Sequence, residues 1–280
     1  MTSVQWLLQR NHPNPSAIRE IELILRSQGH DVHSTELRGY SEAAFDIGSL
    51  DMDIPVVCYG PSFVPRALRY PELSPGIFFD PATFRWSAFR NGWGELMASA
   101  NADVVTLSDA ASHLGTKQMF VRPDEDSKAF NGGLFDRASL EVTIDAAVRK
   151  ARMGGDTLVV VAEPVKIDAE WRTFVVGGQV VAASSYRKDG TGDMDLYVPP
   201  EVIDLAEAAA TRWTPSEVFC LDIALAGHRY GIVEANCFNA SRFYGADANV
   251  ILGSVSSFVV EAFAQRPPID GQVLSPSSST

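Results

Sequence analysis

The sequence predicts an α+β protein with a small α/β lobe in front. Three observations carry this expectation. Short apolar runs alternate with an amphipathic helix in the first eighty residues, two glycine-bearing hairpins occupy the last third, and helical periodicity separates and follows those hairpins. At 280 residues and 46% hydrophobic content, the chain is long enough to bury more than one core.

The first lobe is expected over residues 1–81. Val4–Leu8 reads as a strand, and Ser16 caps a helix that shows Ile18, Ile21 and Leu25 on one face and ends at Gly29. Asp31–Leu37 and Ile54–Tyr59 read as strands, the second a short apolar run of the kind a covered sheet requires. Pro61, Pro65, Pro71, Pro75 and Pro81 mark the exit.

The second lobe is expected over residues 82–162. A helix over Thr83–Ala98 is interrupted by Gly92 and Gly94, and strands follow at Val104–Leu107 and Gln118–Arg122. Ser139 caps a helix through Arg152, and Thr157–Ala162 is a β-branched run. Phe84, Trp86, Phe89 and Trp93 are assigned to the core and to lobe contacts.

The third lobe is expected over residues 163–270. Trp171–Val176 and Gln179–Tyr186 flank Gly177-Gly178, a two-residue turn that needs positive φ. A helix over Glu201–Thr211 precedes a second hairpin, Val218–Leu225 and Arg229–Asn236, with its turn at Ala226-Gly227. A last helix covers Ala248–Ala264, and residues 271–280, ending SPSSST, read as a disordered tail.

Composition excludes several function classes. Thirty-five acidic against 23 basic side chains leave a net charge of −12, without the broad basic surface that nonspecific nucleic-acid or anionic-membrane binding requires. Cys58, Cys220 and Cys237 have no CxxC spacing and read as reduced thiols, which points to the cytoplasm. The first residues do not read as a signal peptide. The apolar tract Val250–Phe263 is too broken by glycine, serine and Glu261 to span a bilayer. The five histidines form no HExxH, and there is no GxSxG elbow.

Three stretches carry possible chemistry. In the second hairpin, reflection across the turn sets Asp222 opposite Gly231–Val233, and a slightly longer loop sets it beside Glu234. Alternation places Glu234 and Asn236 on one face and points Cys237 away. Two carboxylates and a carboxamide form an oxygen-only set that suits magnesium completed by phosphates and water; the alternative is a solvated strand end. In AEPVKIDAEWRTFVV, Glu163 ends a strand, Pro164 frees the connector backbone, and Glu170 follows seven residues later. Such a connector can read the amino group of adenine and the hydroxyls of ribose, or be an acidic surface loop. In MFVRPDEDSKAFNGGLF, Arg122 and Lys128 are phosphate partners beside the flexible Asn131-Gly132-Gly133, with Asp124-Glu125-Asp126 facing solvent.

The order and spacing of these stretches, over Gln118–Tyr244, resemble the ATP-grasp superfamily of carboxylate-amine ligases. The carriers are EPVKIDAEWRTFVV and the hairpin LDIAL…YGIVEAN, while FVRPDEDSKAF resembles the arginine-to-lysine clade found in phage and bacterial genomes. The resemblance implies two α+β lobes enclosing ATP behind a pre-ATP-grasp lobe. It implies adenine contacts at Glu163 and Val165, a ribose contact at Glu170, and phosphate contacts at Arg122 or Lys128. Asp222, Glu234 and Asn236 would hold magnesium. Arg172, Arg187 and Lys188 are the basic hairpin residues for the transferring phosphoryl group, with Arg172 and Lys188 preferred because simple alternation turns Arg187 away. The implied reaction activates a small-molecule or peptide carboxylate as an acyl phosphate, which an amine attacks with release of ADP and phosphate. A kinase on the same fold and a catalytically silent nucleotide-binding module are the rival expectations.

Overall fold

Three separate sheets, each built from its own stretch of chain, frame the site. The computed structural model describes residues 3–37, 45, 47, 49–125, 130–149, 154–188, 190–192 and 197–266. Lys128, Asp126, Arg152 and the expected disordered tail lie outside the described residues.

The first sheet is parallel, with β1 (Gln5–Gln9) between β2 (Asp31–Thr35) and β3 (Val56–Tyr59). The crossover helix α1 (Pro15–Ser27) buries Ile18, Ile21 and Leu25. Its cap is Asn14 rather than Ser16: the Asn14 side chain accepts from the Ala17 N–H at 3.4 Å. Pro15 takes the first helical position, where a missing N–H costs nothing.

The next helix, α2 (Trp86–Trp93), is shorter than the sequence suggests because Gly94 turns the chain at φ +56°. Phe84, Trp86, Phe89 and Trp93 are all core residues. The second sheet has the order β4-β7-β5-β6, antiparallel throughout, from β4 (Asp103–Thr106), β5 (Met119–Pro123), β6 (Gly133–Phe135) and β7 (Leu158–Ala162). Helices α3 (Leu107–Leu114) and α4 (Arg137–Arg149) pack on Val121, Val159 and Val161. The sequence reading contains neither α3 nor β6. Ser139 lies inside α4 and donates its N–H to the Asp136 carboxylate at 2.8 Å, so the cap falls to Asp136.

The third sheet is antiparallel, in the order β10-β9-β8-β11-β12. It contains β8 (Ala169–Val176), β9 (Gln179–Lys188), β10 (Thr191–Gly192), β11 (Val218–Ala226) and β12 (Arg229–Cys237). Gly177 and Gly178 turn the first hairpin at φ +56° and +79°, as a two-residue turn of this kind demands. The second turn is Gly227-His228, one residue later than expected, because Ala226 pairs with Arg229.

The two faces of this sheet have different roles. Trp171, Val175, Phe219, Leu221 and Ile223 pack with α2 and with α5 (Pro200–Arg212). On the opposite face, Phe174, Val176, Val218 and Cys220 pack with the first sheet, α1 and α6 (Ala248–Ala264). That second face is apolar at one end only. Toward the other end it carries Glu170, Arg172 and Asp222, all buried and charged.

Asn239, fully buried, fastens this sheet to the first. Its amide donates to the carbonyls of Cys58 (2.6 Å) and Gly76 (2.9 Å), and its oxygen accepts from the Phe78 N–H (2.8 Å). Truncation would strand three buried backbone groups. Asn239→Ala is expected to lower unfolding free energy by about 2–4 kcal/mol, measured by urea denaturation; a loss below ~1 kcal/mol would show that water replaces the amide.

Candidate active site

The charged end of the third sheet is organised by strand register and two β-bulges. Arg172 on β8 is the register partner of Asp222 on β11, and Asp222 is in turn the partner of Glu234 on β12. A two-residue turn at Gly227-His228 alone would align Asp222 with Val233. The register shifts between Asp222 and Ile223, leaving Val233 without a partner and carrying Glu234 alongside Asp222. A second shift between Glu170 and Trp171 leaves Tyr186 unpaired and makes Arg187 the partner of Glu170. Simple alternation therefore misassigns β9: Arg187 reaches the site face, whereas Lys188 pairs with Ala169, a core residue of the other face.

Three arginines meet three carboxylates there. Arg172 holds Asp222 with two hydrogen bonds, Nε to Oδ1 at 2.8 Å and Nη2 to Oδ2 at 2.7 Å, with both side chains at least 92% buried. Arg187 Nη1 donates to Glu170 Oε2 at 2.8 Å. Arg122, on β5 of the second sheet, reaches across to Glu234 with Nη1 to Oε2 at 2.5 Å. The Asn236 amide donates to Asp222 Oδ2 (3.0 Å) and Glu234 Oε1 (3.2 Å) and so bridges the two acids.

Electrostatics follow the pairing. Burial pushes the Glu170 carboxyl above its ordinary value, and Arg187 opposes the shift. Burial acts the same way on Glu234, but the Arg122 guanidinium and the Asn236 amide outweigh it and hold that carboxyl below the ordinary 4.5. Burial would favour the neutral form of Arg172, yet the bidentate contact with Asp222 keeps the guanidinium charged.

The loop that carries Arg122 is anchored differently from expectation. Asp124 is buried, not solvent-facing: it accepts from Arg85 Nε (2.7 Å) and Nη2 (2.6 Å) and from the Ser87 N–H (2.7 Å). It thereby caps the start of α2 from a distant part of the chain. Gly132 lies on Arg122, where an added Cβ would come within 2.9 Å of the Arg122 Cβ. A cavity of about 240 Å³ opens between this loop and β12, lined by Arg122, Asn131, Gly132, Glu234 and Asn236.

The connector between the second and third sheets, residues 163–168, is exposed at Glu163 and Val165. Lys117 Nζ lies 4.0 Å from Glu163 Oε1. The far end of the connector is pinned, with the Asp168 N–H donating to the Leu225 carbonyl (2.8 Å) and its carboxylate accepting from the Gly227 N–H (2.9 Å).

The structure thus gathers Arg122, Glu170, Arg172, Arg187, Asp222, Glu234 and Asn236, and leaves Glu163 and Val165 at the connector. Lys128 lies outside the described residues. Sequence reasoning missed Arg85, Tyr186 and Tyr244. The last two border Arg172, and only their backbone irregularities mark them.

A three-sheet framework with a charged cleft between the second and third sheets defines a nucleotide-dependent enzyme fold. Residues 62–255 match the family described as an ATP-grasp domain, family 3 of the arginine-to-lysine clade, and the chain belongs to this ATP-grasp family. Among solved structures, it is similar to D-alanine–D-alanine ligase from Bacillus anthracis, with TM-score 0.64, 12% identity, and 94% of this chain and 99% of that one covered. D-cycloserine synthetase DcsG gives 0.59, 12%, 93% and 100%. The ATP-grasp ligase PsnB complexed with minimal precursor gives 0.57, 15%, 95% and 100%. No curated protein matches the sequence.

The bridge between Arg122 and Glu234 is titratable. Because the folded carboxyl lies below its ordinary value, the bridge stabilises the fold above about pH 4.5 and loses that contribution as pH falls through the lower folded value. Glu234→Gln is expected to cost about 1–3 kcal/mol at pH 7, with the deficit shrinking below about pH 4.5. A deficit independent of pH, in parallel urea titrations, would show that the charge contributes nothing.

Proposed function

We propose that the chain is an ATP-dependent carboxylate-amine ligase that forms an acyl phosphate and releases ADP. The observation that carries this reading is the row of Arg187–Glu170, Arg172–Asp222 and Arg122–Glu234, which spans two sheets and offers paired cations and anions but no nucleophile. Phosphoryl transfer needs positioning and charge neutralisation more than covalent chemistry from the protein, and this row supplies both.

In this reading adenine lies at Glu163–Val165 and ribose at Glu170. The phosphates take Arg122, Arg172 and Arg187 from their carboxylates, while Lys188, on the opposite face, has no place in the transfer. Asp222, Glu234 and Asn236 fit magnesium: they are oxygen donors brought side by side, and the described residues contain no cluster of three or more His, Cys, Asp or Glu able to hold a metal alone. Bound there with ATP, magnesium would screen the phosphate charge. The chain's own residues then align two reactants. A carboxylate oxygen of the substrate attacks the γ-phosphorus, and the bond to the bridging oxygen breaks with its electron pair leaving on ADP. An amine attacks the acyl carbon, phosphate leaves with the C–O electron pair, and the ammonium proton passes to solvent. Similarity to proteins that join amino acids or act on a peptide precursor supports substrates that are small-molecule or peptide carboxylates and amines.

Trapping tests it directly. With ATP, magnesium and a panel of amino-acid and peptide carboxylates, hydroxylamine is expected to yield a hydroxamate in step with ADP and phosphate. Asp222→Asn is expected to slow this about 10²–10³-fold. A stable phosphate ester without hydroxamate would establish a kinase instead, and AMP as product would overturn both.

A further inference from the structure

Arg172 is the most confined cation of the site, and two tyrosines confine it. Its guanidinium carbon lies 5.2 Å from the ring centroid of Tyr244 and 5.8 Å from that of Tyr186, and the two rings stack at 4.9 Å with 16° between their planes. Neither ring is delivered by regular backbone. Tyr186 is the extra residue of the bulge in β9, and Tyr244 is the only non-glycine residue with positive φ among the described residues, at +52°. Bulges re-aim side chains, and a bulky L-residue in the left-handed region persists only where surrounding structure enforces it. Gly245, which would adopt that conformation freely, sits one position further on, so the chain places a ring where a glycine would be easier.

Two of the five guanidinium donors of Arg172 are committed to Asp222, and the remaining N–H groups are the ones free to meet a phosphate. A guanidinium held along one edge alone can still tilt; rings against it remove that freedom. Tyr244 also lines a cavity of about 330 Å³ together with His12, Tyr59, Arg242 and Phe243. Its ring is therefore the wall between that cavity and Arg172, and a small side chain there would let water reach the guanidinium.

We propose that Tyr244, stacked with Tyr186, is a positioning residue that fixes the orientation in which Arg172 presents its free N–H groups to the phosphates of ATP. This rests on the nucleotide site described above. The ring acts through Arg172, without a contact of its own to the reacting atoms.

The test is a double-mutant cycle read as Mg·ATP affinity by calorimetry on the full chain, with thermal unfolding to confirm that each variant is folded. Tyr244→Leu is expected to weaken Mg·ATP about tenfold, and Tyr244→Phe, which keeps the ring, by no more than about twofold. In the Arg172→Lys background, which keeps the charge but has no planar fork to orient, Tyr244→Leu is expected to cost less than about threefold. An equal loss in both backgrounds would make Tyr244 a structural residue and overturn the proposal, as would unchanged affinity in Tyr244→Leu. If Tyr244→Leu does not fold, Tyr186→Leu, which removes the other ring of the stack, carries the same expectation. Wild-type protein that binds no Mg·ATP would overturn the nucleotide reading itself, and this proposal with it.

Discussion

The buried pair of Arg172 and Asp222 is the constraint on which the site depends. Taking either charge out of water alone costs several kcal/mol, so neither side chain is tenable in the sheet interior without the other. The pair is possible because β8 and β11 are neighbours in register, and because the same sheet face is apolar only at its Phe174–Cys220 end. From that pair the other charges follow along the row. Glu234 is set beside Asp222 by the bulge at Val233 and takes Arg122 as its partner, while Glu170 takes Arg187. Each acid is neutralised, and the site is poised for exchange: phosphates can replace the carboxylates as partners of the arginines, and a divalent cation can replace the arginines as partner of the carboxylates.

The exchange is also mechanical. Arg122 belongs to the second sheet and Glu234 to the third, so their bridge ties together two bodies joined only by the connector 163–168 and by packing around α2. Asp124 fixes the end of β5 to the first turn of α2, which sets where Arg122 starts. Asp168 fixes the far end of the connector to the turn of the second hairpin. The segment between these anchors is free to meet a ligand.

Much of this was legible in the sequence, and the exceptions have physical reasons. The glycine pair at 177–178 defined one hairpin, the bounds of α6 match expectation at both ends, and period-2 alternation in YGIVEAN put Glu234 and Asn236 on one face. Bulges leave no local signature, so the sequence misjudged Arg187 against Lys188 and gave no hint of Tyr186. Helix α3 was missed although Leu107, Ala110, Ala111 and Leu114 have helical spacing, because the run is only eight residues long. Asp124 looked like part of a solvated acidic run, and its partner Arg85 lies 39 residues away, beyond any pattern that spacing reveals. Long-range pairing and irregular backbone were hidden; periodicity and turn chemistry were not.

Calorimetric titration of magnesium into the protein, with and without ATP, probes the exchange most directly. With every carboxylate of the row already paired to an arginine, magnesium is expected to bind weakly to the free chain and at least about tenfold more tightly once ATP is present; Asp222→Asn should abolish that difference. Tight magnesium binding without nucleotide, unchanged in Asp222→Asn, would contradict the assignment of these carboxylates.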